Sequence, residues 1–411
     1  MENAETHPDS RTSAGYTLSL VVPCYNEERT IESCVNRILD FAVGKDFFVE
    51  VVAVDDASAD GSWKILQKLA SSRRRIKIFR HDKNRGKGAA LQTGFAHATG
   101  DFVGIQDADA EYNPADYLVM LEPILDGRAD VVYGSRYLRP DTRRVLYFWH
   151  TWMNKNLTAV SNMFTNLDIT DMETCYKLFR RDVIQKIAPE LKEKRFGFEP
   201  EITARVADAG CRVYECAISY SPRSYEEGKK ISWRDGVHAL YCIFHYSAHA
   251  APLPIMVAIY LVIGALSLAV NNACFVIATQ MGMALNPAIV TAAAASALCN
   301  YLLCVAILFR HKARWSAGAE FFWYAFSVSL MGIVDFGVTR SLISLVPFFN
   351  LHWSGAKLIA SGIGFIGNFA LRKWLVFPYK RNKKSTRPII KSKDNNMKGT
   401  PPLRGVPYPT L

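Results

Sequence analysis

The chain has 411 residues, 49 Lys plus Arg against 38 Asp plus Glu, and 50% hydrophobic side chains, enough apolar material for two domains. Residues 1–250 hold 33 basic and 35 acidic side chains, whereas 251–411 hold 16 basic and 3 acidic, so the net charge of +11 belongs to the second part. There the charge flanks long uncharged runs, which points to membrane loops and anionic headgroups and excludes nucleic acid as the partner.

Residues 1–17 are polar and carry no apolar stretch, so a disordered N-terminus without a cleavable signal peptide is expected. From Leu18 to about Ser135, β-branched runs (LSLVV, VEVVAV, IKIF, FVGIQ, ADVVYG) alternate with helical stretches such as Ile31–Phe41 and Trp63–Ala70. That alternation predicts a mostly parallel α/β sheet with the C-terminal strand ends on one edge, where open sheets bind ligands. Asn26 and Glu27, Asp55 and Asp56, Asp107 and Asp109, and Arg136 all fall at such ends. Any one carboxylate pair could cap a helix; four elements converging on one crevice indicate a site.

Asp107 and Asp109 sit two apart after a buried strand, followed by Glu111. On an extended segment they face the same way, and an oxygen-only set suits Mg²⁺ or Mn²⁺ completed by substrate phosphate. In DDASADG, Asp55 and Asp56 are placed to accept hydrogen bonds from a nucleoside, with a helix N-cap as the plainer reading. NRGKGAALQTG lacks both GxxxxGK[ST] and GxGxxG spacing, which argues against an ATPase or dinucleotide enzyme, while Lys87 can still meet a diphosphate. The nine cysteines form no CxxC pair and show no ligand-like spacing to His, so they are expected to be reduced and structural.

Two amphipathic stretches, Val145–Met153 with Trp149 and Trp152, and Trp233–Ala248, have the pattern of helices lying in a headgroup layer. Beyond Ala251, four spans are expected at about 254–279, 287–309, 321–346 and 355–377. The first and third connecting loops carry no Lys or Arg, whereas the second holds Arg310, Lys312 and Arg314 and the tail after Phe377 holds nine basic residues. That asymmetry places both termini and the first domain in the cytoplasm. NYLLCVAILF (300–309) and NFALRKWLVF (368–377) end the second and fourth spans 68 positions apart, which suggests duplicated hairpins. Asp335 and Arg340 are the costly charges inside the third span.

PCYNEE, VVAVDDASADG, NRGKGAALQTGFAHATGDFVGIQDAD, VVYGSR, DMETCYKLF and FGFEPEI occur in this order. Together they resemble the family 2 glycosyltransferases, closest to those that make polyprenyl-phosphate sugars, over Leu18–Tyr246. The membrane part resembles the GtrA-like four-span domain. The resemblance implies a GT-A-like, Rossmann-like nucleotide-diphospho-sugar transferase domain over 18–250, an all-α four-helix transmembrane domain over 251–378 and a basic disordered cytoplasmic tail over 379–411.

The resemblance further implies that Pro23, Tyr25, Glu27 and Asp55 contact the nucleoside, that Asp107, Asp109 and Glu111 hold the divalent metal, and that Arg136 meets the phosphates. Arg223 and Lys229 correspond to residues closing over the donor, although the usual Gly-Glu-Ser-Lys reads Glu-Glu-Gly-Lys here. Asp171, Lys177 and Glu201 match family positions near the site, with helix-surface pairing as the plainer reading of Glu201. The implied reaction is inverting transfer of a hexose, mannose or glucose, from GDP-mannose or UDP-glucose to undecaprenyl or dolichyl phosphate on the cytoplasmic membrane face. The implied partners are a nucleotide sugar, a polyprenyl phosphate lipid and the membrane, with a homo-oligomer left open.

An already ionised lipid phosphate needs no general base; a sugar hydroxyl would need one, and Asp109 or Asp171 would have to serve. A hydroxyl acceptor on another lipid or glycan, and a transport or scaffold protein for a lipid-linked sugar, are the alternatives. A processive synthase is disfavoured because HKARW is the nearest approach to its Gln-x-x-Arg-Trp signature, and it lies between two spans.

Overall fold

The computed structural model describes residues 15–45, 47–109, 111–138, 144–222, 233–309, 317–346, 348 and 353–376. Most of the expected disordered N-terminus, Arg223, Lys229, the HKARW loop and the basic tail lie outside the described residues.

The first part is a seven-stranded sheet: β1 (Tyr16–Cys24), β2 (Phe47–Asp55), β3 (Ile76–Arg80), β4 (Phe102–Ile105), β5 (Val131–Ser135), β6 (Lys177–Arg180) and β7 (Val213–Ala217). The strand order is β3-β2-β1-β4-β6-β5-β7. Strands β1 to β4 pair in parallel, as do β5 and β7, so the expected mostly parallel α/β architecture is present. Central β1 and β2 are buried on both faces, which is why they read as continuous Val and Leu runs. Helices α1 (Ile31–Asp40), α2 (Ser62–Ser72), α3 (Lys87–His97) and α4 (Tyr117–Leu125) form crossovers between successive strands.

Strand β6 runs antiparallel to both β4 and β5. The reversal has a direct effect on the site: the segment before β6, not after it, reaches the edge where β1, β2, β4 and β5 end. Sequence periodicity did not mark β6, because KLFR is four residues long, wholly buried and does not alternate. Helix α6 (Arg181–Ile187) packs on β6, while α5 (Phe148–Thr165), which ends on left-handed Asn166, α7 (Phe198–Asp208) and α8 (Trp233–Ser247) pack on one another.

After α8 a short turn (Ala248–Ala250) leads into α9 (Leu253–Gln280), followed by α10 (Leu285–Leu303), α11 (Ala317–Leu345) and α12 (Trp353–Leu371). At 1.5 Å per residue the 28 residues of α9 extend about 42 Å, longer than a hydrocarbon core of about 30 Å. Among the described residues three stretches, Leu253–Gln280, Val290–Leu308 and Gly318–Leu342, are long and apolar enough to cross a membrane. Helix α12 has 19 residues and packs along α11.

Both α10 and α12 run on into π-helical turns, Cys304–Phe309 and Arg372–Val376. These are the two segments whose sequences repeat, and they meet in space: Arg372 Nη1 donates to Asn300 Oδ1 at 2.5 Å and lies 3.5 Å from Cys304 Sγ. The guanidinium sits 4.3 Å from the Tyr324 ring centroid and 5.4 Å from that of Tyr260. The two parts of the chain also share apolar packing, since Ala248, Met256, Tyr260 and Cys304 join the cluster that holds Phe164, Phe198 and Ile243.

Candidate active site

Two turns are stitched together at the sheet edge. After β1 the chain turns through Asn26 at φ 54°, and after β2 through Ala57 at φ 59°, both in the left-handed region that L-residues rarely enter. The turns hold each other: the Asn26 N–H donates to Ser58 Oγ (3.0 Å), the Ala59 N–H to Asn26 Oδ1 (2.9 Å) and the Glu27 N–H to Ser62 Oγ (2.9 Å). Pro23, Tyr25 and Glu27 consequently line a cavity of about 720 Å³.

Asp56 lines the same cavity and organises the next loop. Its carboxylate accepts the Arg85 and Gly86 N–H groups at 2.9 and 2.7 Å and contacts His81 Nδ1 at 2.7 Å. Gly86 is required twice over, for its φ of +95° and because a Cβ would stand 2.3 Å from the Lys194 carbonyl. Helix α3 thereby starts with Lys87 directed inward.

Lys87 Nζ lies 2.9 Å from Asp107 Oδ1, 3.6 Å from Glu199 Oε1 and 2.8 Å from Cys175 Sγ. Burial alone would strip its proton, but Asp107, Cys175 and Glu199 outweigh it and raise its pKa well above the usual lysine value. Reciprocally, burial pushes the Asp107 carboxyl up, and the neighbouring ammonium holds it below the ordinary carboxylate range. Glu173, delivered by the reversal of β6, is pushed up to about 8 by burial and by Glu199.

Arg136 follows β5 and is clamped by Asp171. The Asp171 carboxylate accepts from the Arg136 backbone N–H (3.0 Å), Nε (2.7 Å) and Nη2 (2.7 Å), a buried fork-on-fork pair. The guanidinium also lies 5.3 Å from the Tyr220 ring centroid.

The structure thus brings Pro23, Tyr25, Glu27, Asp56, Lys87, Asp107, Asp109, Glu111 and Arg136 to one cavity. It places two expected site residues behind the cavity wall instead. Asp171 is 0% exposed and its carboxylate accepts from Arg136, so it holds that arginine in place. Asp55 is likewise 0% exposed, paired with Arg80 Nε at 3.0 Å, and its Oδ1 has no hydrogen-bond partner among the described residues. Glu111 receives the Tyr220 hydroxyl at 3.0 Å. Glu201 is buried off the cavity, accepting the Lys192 and Glu193 N–H groups, and Lys177 donates to the Met172 and Thr174 carbonyls. Sequence reasoning missed Glu173, Glu199 and Tyr220, which line the cavity from segments placed by β6, α7 and β7.

The remaining wall is helical: Met153, Asn154 and Leu157 of α5 face Asp235, Gly236 and Ala239 of α8. Outside the cavity the same two helices expose Phe148, Trp149, Trp152, Val237 and Tyr241, with Trp149 73% exposed.

A sheet edge that gathers carboxylates, a lysine and an arginine beside long apolar helices has the chemistry of a site for a phosphorylated substrate next to a membrane. Residues 19–188 match the family described as Glycosyl transferase family 2, and 259–377 match that described as GtrA/DPMS, transmembrane domain. The chain therefore carries a family 2 glycosyltransferase domain followed by a GtrA/DPMS transmembrane domain.

Among curated proteins it is 28% identical over 228 residues to "Glycosyltransferase AglD" of Haloferax volcanii, covering 53% of this chain and 35% of that one. It is 24% identical over 357 residues to "Dolichol-phosphate mannosyltransferase" of Pyrococcus furiosus, covering 86% and 96%. It is 26% identical over 217 residues to "Dolichyl-phosphate beta-glucosyltransferase ALG5D" of Trichomonas vaginalis, covering 50% and 65%. The chain thus spans about a third of the first relative and just under two thirds of the third. A solved structure of glucosyl-3-phosphoglycerate synthase from Mycobacterium tuberculosis, in complex with Mn²⁺, UDP and phosphoglyceric acid, superposes with a TM-score of 0.43 at 17% identity, covering 56% of this chain and 78% of that one.

Proposed function

We propose that this protein transfers a hexose, mannose or glucose, from a nucleotide diphosphate sugar to the phosphate of a polyprenyl lipid at the cytoplasmic membrane surface. The observation that carries the reading is the mixed lining of the cavity. Asp107, Asp109, Lys87 and Arg136, the chemistry of a diphosphate site, line it together with α5 and α8, whose outer faces carry exposed aromatics. Relatives named for dolichyl-phosphate mannosyl and glucosyl transfer support the lipid acceptor.

The donor set fits a divalent metal. Asp107 and Asp109 both line the cavity and offer hard oxygen atoms, two carboxylates being what Mg²⁺ or Mn²⁺ uses when substrate phosphate completes its shell. Glu111, engaged with Tyr220, is the weaker candidate ligand of the three. Bound there, the ion would supply charge neutralisation for the leaving diphosphate.

The chain's own residues do the rest. Tyr25 and Glu27 hold the nucleoside end, with Asp56 fixing the loop that presents Lys87. Lys87 and Arg136 stabilise negative charge as the sugar–phosphate bond breaks, pre-set by Asp107 and Asp171 so that little reorganisation accompanies the reaction. A lipid phosphate arrives ionised, so no side chain must remove a proton. Burial and Glu199 raise the Glu173 carboxyl above the usual range, which lessens the charge it sets against an incoming anion. Attack from the far face inverts the anomeric carbon. The uncharged 281–284 turn and the basic 310–316 loop support a cytoplasmic catalytic domain.

The test is a mass-spectrometric screen of lipid products from the detergent-purified protein with undecaprenyl or dolichyl phosphate, Mg²⁺ or Mn²⁺, and each of GDP-mannose, UDP-glucose, UDP-galactose and UDP-GlcNAc. A polyprenyl-phosphate hexose from one donor, abolished by chelator, supports the reading. Nucleotide release only when a hydroxyl acceptor is supplied overturns the phosphate acceptor.

A further inference from the structure

Outside the cavity, one cluster of metal-binding side chains stands unused by the reaction. His238 and Cys242 are four residues apart on α8, hence on one helix face, and Glu193 approaches them from the loop before α7. This corrects the sequence expectation that no cysteine lies at ligand spacing from a histidine. His238 Nε2 is 2.9 Å from Glu193 Oε2 and 3.5 Å from Cys242 Sγ, and the three ligand atoms lie within 4.8 Å of one another.

We infer that Glu193, His238 and Cys242 form a second metal site, selective for a borderline-soft divalent ion of the Zn²⁺ class. The distances fit. Zinc bonds of about 2.3 Å to sulfur and about 2.0–2.1 Å to nitrogen set those two atoms about 3.5 Å apart at the tetrahedral angle. The nitrogen and oxygen ligands need about 3.3 Å, so the His238–Glu193 contact opens by roughly 0.4 Å when the proton between them leaves. A water completes the shell on the open side, where the His238 side chain is 45% exposed.

Gly197 supplies the independent observation. Its φ is −76°, which any residue adopts, so conformation does not call for glycine. Space does: a Cβ there would stand 2.6 Å from Glu193 Oε2 and 2.7 Å from Cys242 Sγ, inside the gap where carboxylate and thiol converge. The donors also differ in kind from Asp107 and Asp109, since imidazole and thiolate select zinc over Mg²⁺. Burial pushes the Glu193 carboxyl up, but the hydrogen bonds from His238 and Tyr246 outweigh it and keep it ionised. Binding at Cys242 takes the thiolate, so filling the site releases the thiol proton to solvent.

The position gives the ion a purpose. The Glu193 loop continues into Arg195 and Phe196, which line the cavity, and the Lys194 carbonyl accepts the Ala89 N–H in the first turn of α3. An ion bridging this loop to α8 clamps two walls of the active site together.

The test uses full-length, detergent-purified, metal-free protein titrated with Co²⁺ alone. One equivalent is expected to produce a thiolate-to-cobalt charge-transfer band and strong tetrahedral visible bands, displaced by Zn²⁺ and retained in Asp109→Asn. Cys242→Ser abolishes the charge-transfer band and His238→Ala weakens the visible bands. Gly197→Ala keeps every ligand yet lowers Co²⁺ affinity by about tenfold or more, the size of a disturbed metal surround, and so carries the test if Cys242→Ser fails to fold. Zn²⁺ should also slow amide hydrogen exchange across residues 191–197. No charge-transfer band at saturating Co²⁺, or a band unchanged in Cys242→Ser, overturns the site; Zn²⁺ binding without slower exchange overturns the clamp.

Discussion

Arg136 and Asp171 show how burial turns a motif residue into a support. Because Asp171 takes three hydrogen bonds from Arg136 and both are buried, Asp171→Ala leaves an unpaired guanidinium in the interior. The expected cost is about 3–5 kcal/mol of stability, read from denaturant unfolding in detergent. Asp109→Asn, on the cavity wall, should instead leave stability intact and lower turnover by about 10²–10³-fold, checked by the lipid-product assay. Glu173 gives a pH dependence. Its carboxyl rises from 4.5 to about 8 on folding, so the folded chain holds a proton that the unfolded chain has lost. Its contribution is full below about 4.5 and fades as pH approaches about 8. The melting temperature of the wild type should fall across that window, and Glu173→Gln should flatten the slope. From the sequence alone, strand-end position and spacing marked Asp107 and Asp109, whereas Lys87 stood out only as a lysine between glycines in a loop without phosphate-loop spacing. Asp55 and Asp171 matched family motifs equally well, but a motif does not show which way a side chain turns.

At the scale of elements, α5 and α8 and the paired π-turns carry the testable content. The exposed face of Phe148, Trp149 and Trp152 is expected to sit in the headgroup layer. Trp149→Ser with Trp152→Ser should raise the KM for polyprenyl phosphate in vesicles while leaving the KM for nucleotide sugar unchanged; equal effects on both would point to packing instead. In the bundle, Arg372 was not among the expected costly charges, whereas Arg340 of α11 is exposed. Buried Arg372 relies on Asn300 and two tyrosine faces, so Asn300→Ala should destabilise the bundle more in wild type than in an Arg372→Met background. A double-mutant cycle on melting temperature measures that coupling. The 68-residue repeat was visible as a string; that its two copies form one contact was not, since Asn300 and Arg372 lie 72 positions apart and only helix packing joins them.

Across the whole molecule, the catalytic and membrane parts share an apolar cluster through Ala248, Met256 and Tyr260, so the cavity is held at a set distance from the bundle. The order of strands and helices up to β5, the apolar spans and the strand-end carboxylates were determined by the sequence itself. Hydrophobic period and run length are local properties, written into each element whatever it later pairs with. What only the tertiary structure decided is the direction of β6, and with it the arrival of Cys175 beside Lys87 and of Glu173 on the same cavity wall, the burial of Asp171 against Arg136, and the meeting of Glu193 with His238 and Cys242. These rest on contacts between segments tens of residues apart, where burial and packing choose among orientations that the local pattern leaves equal.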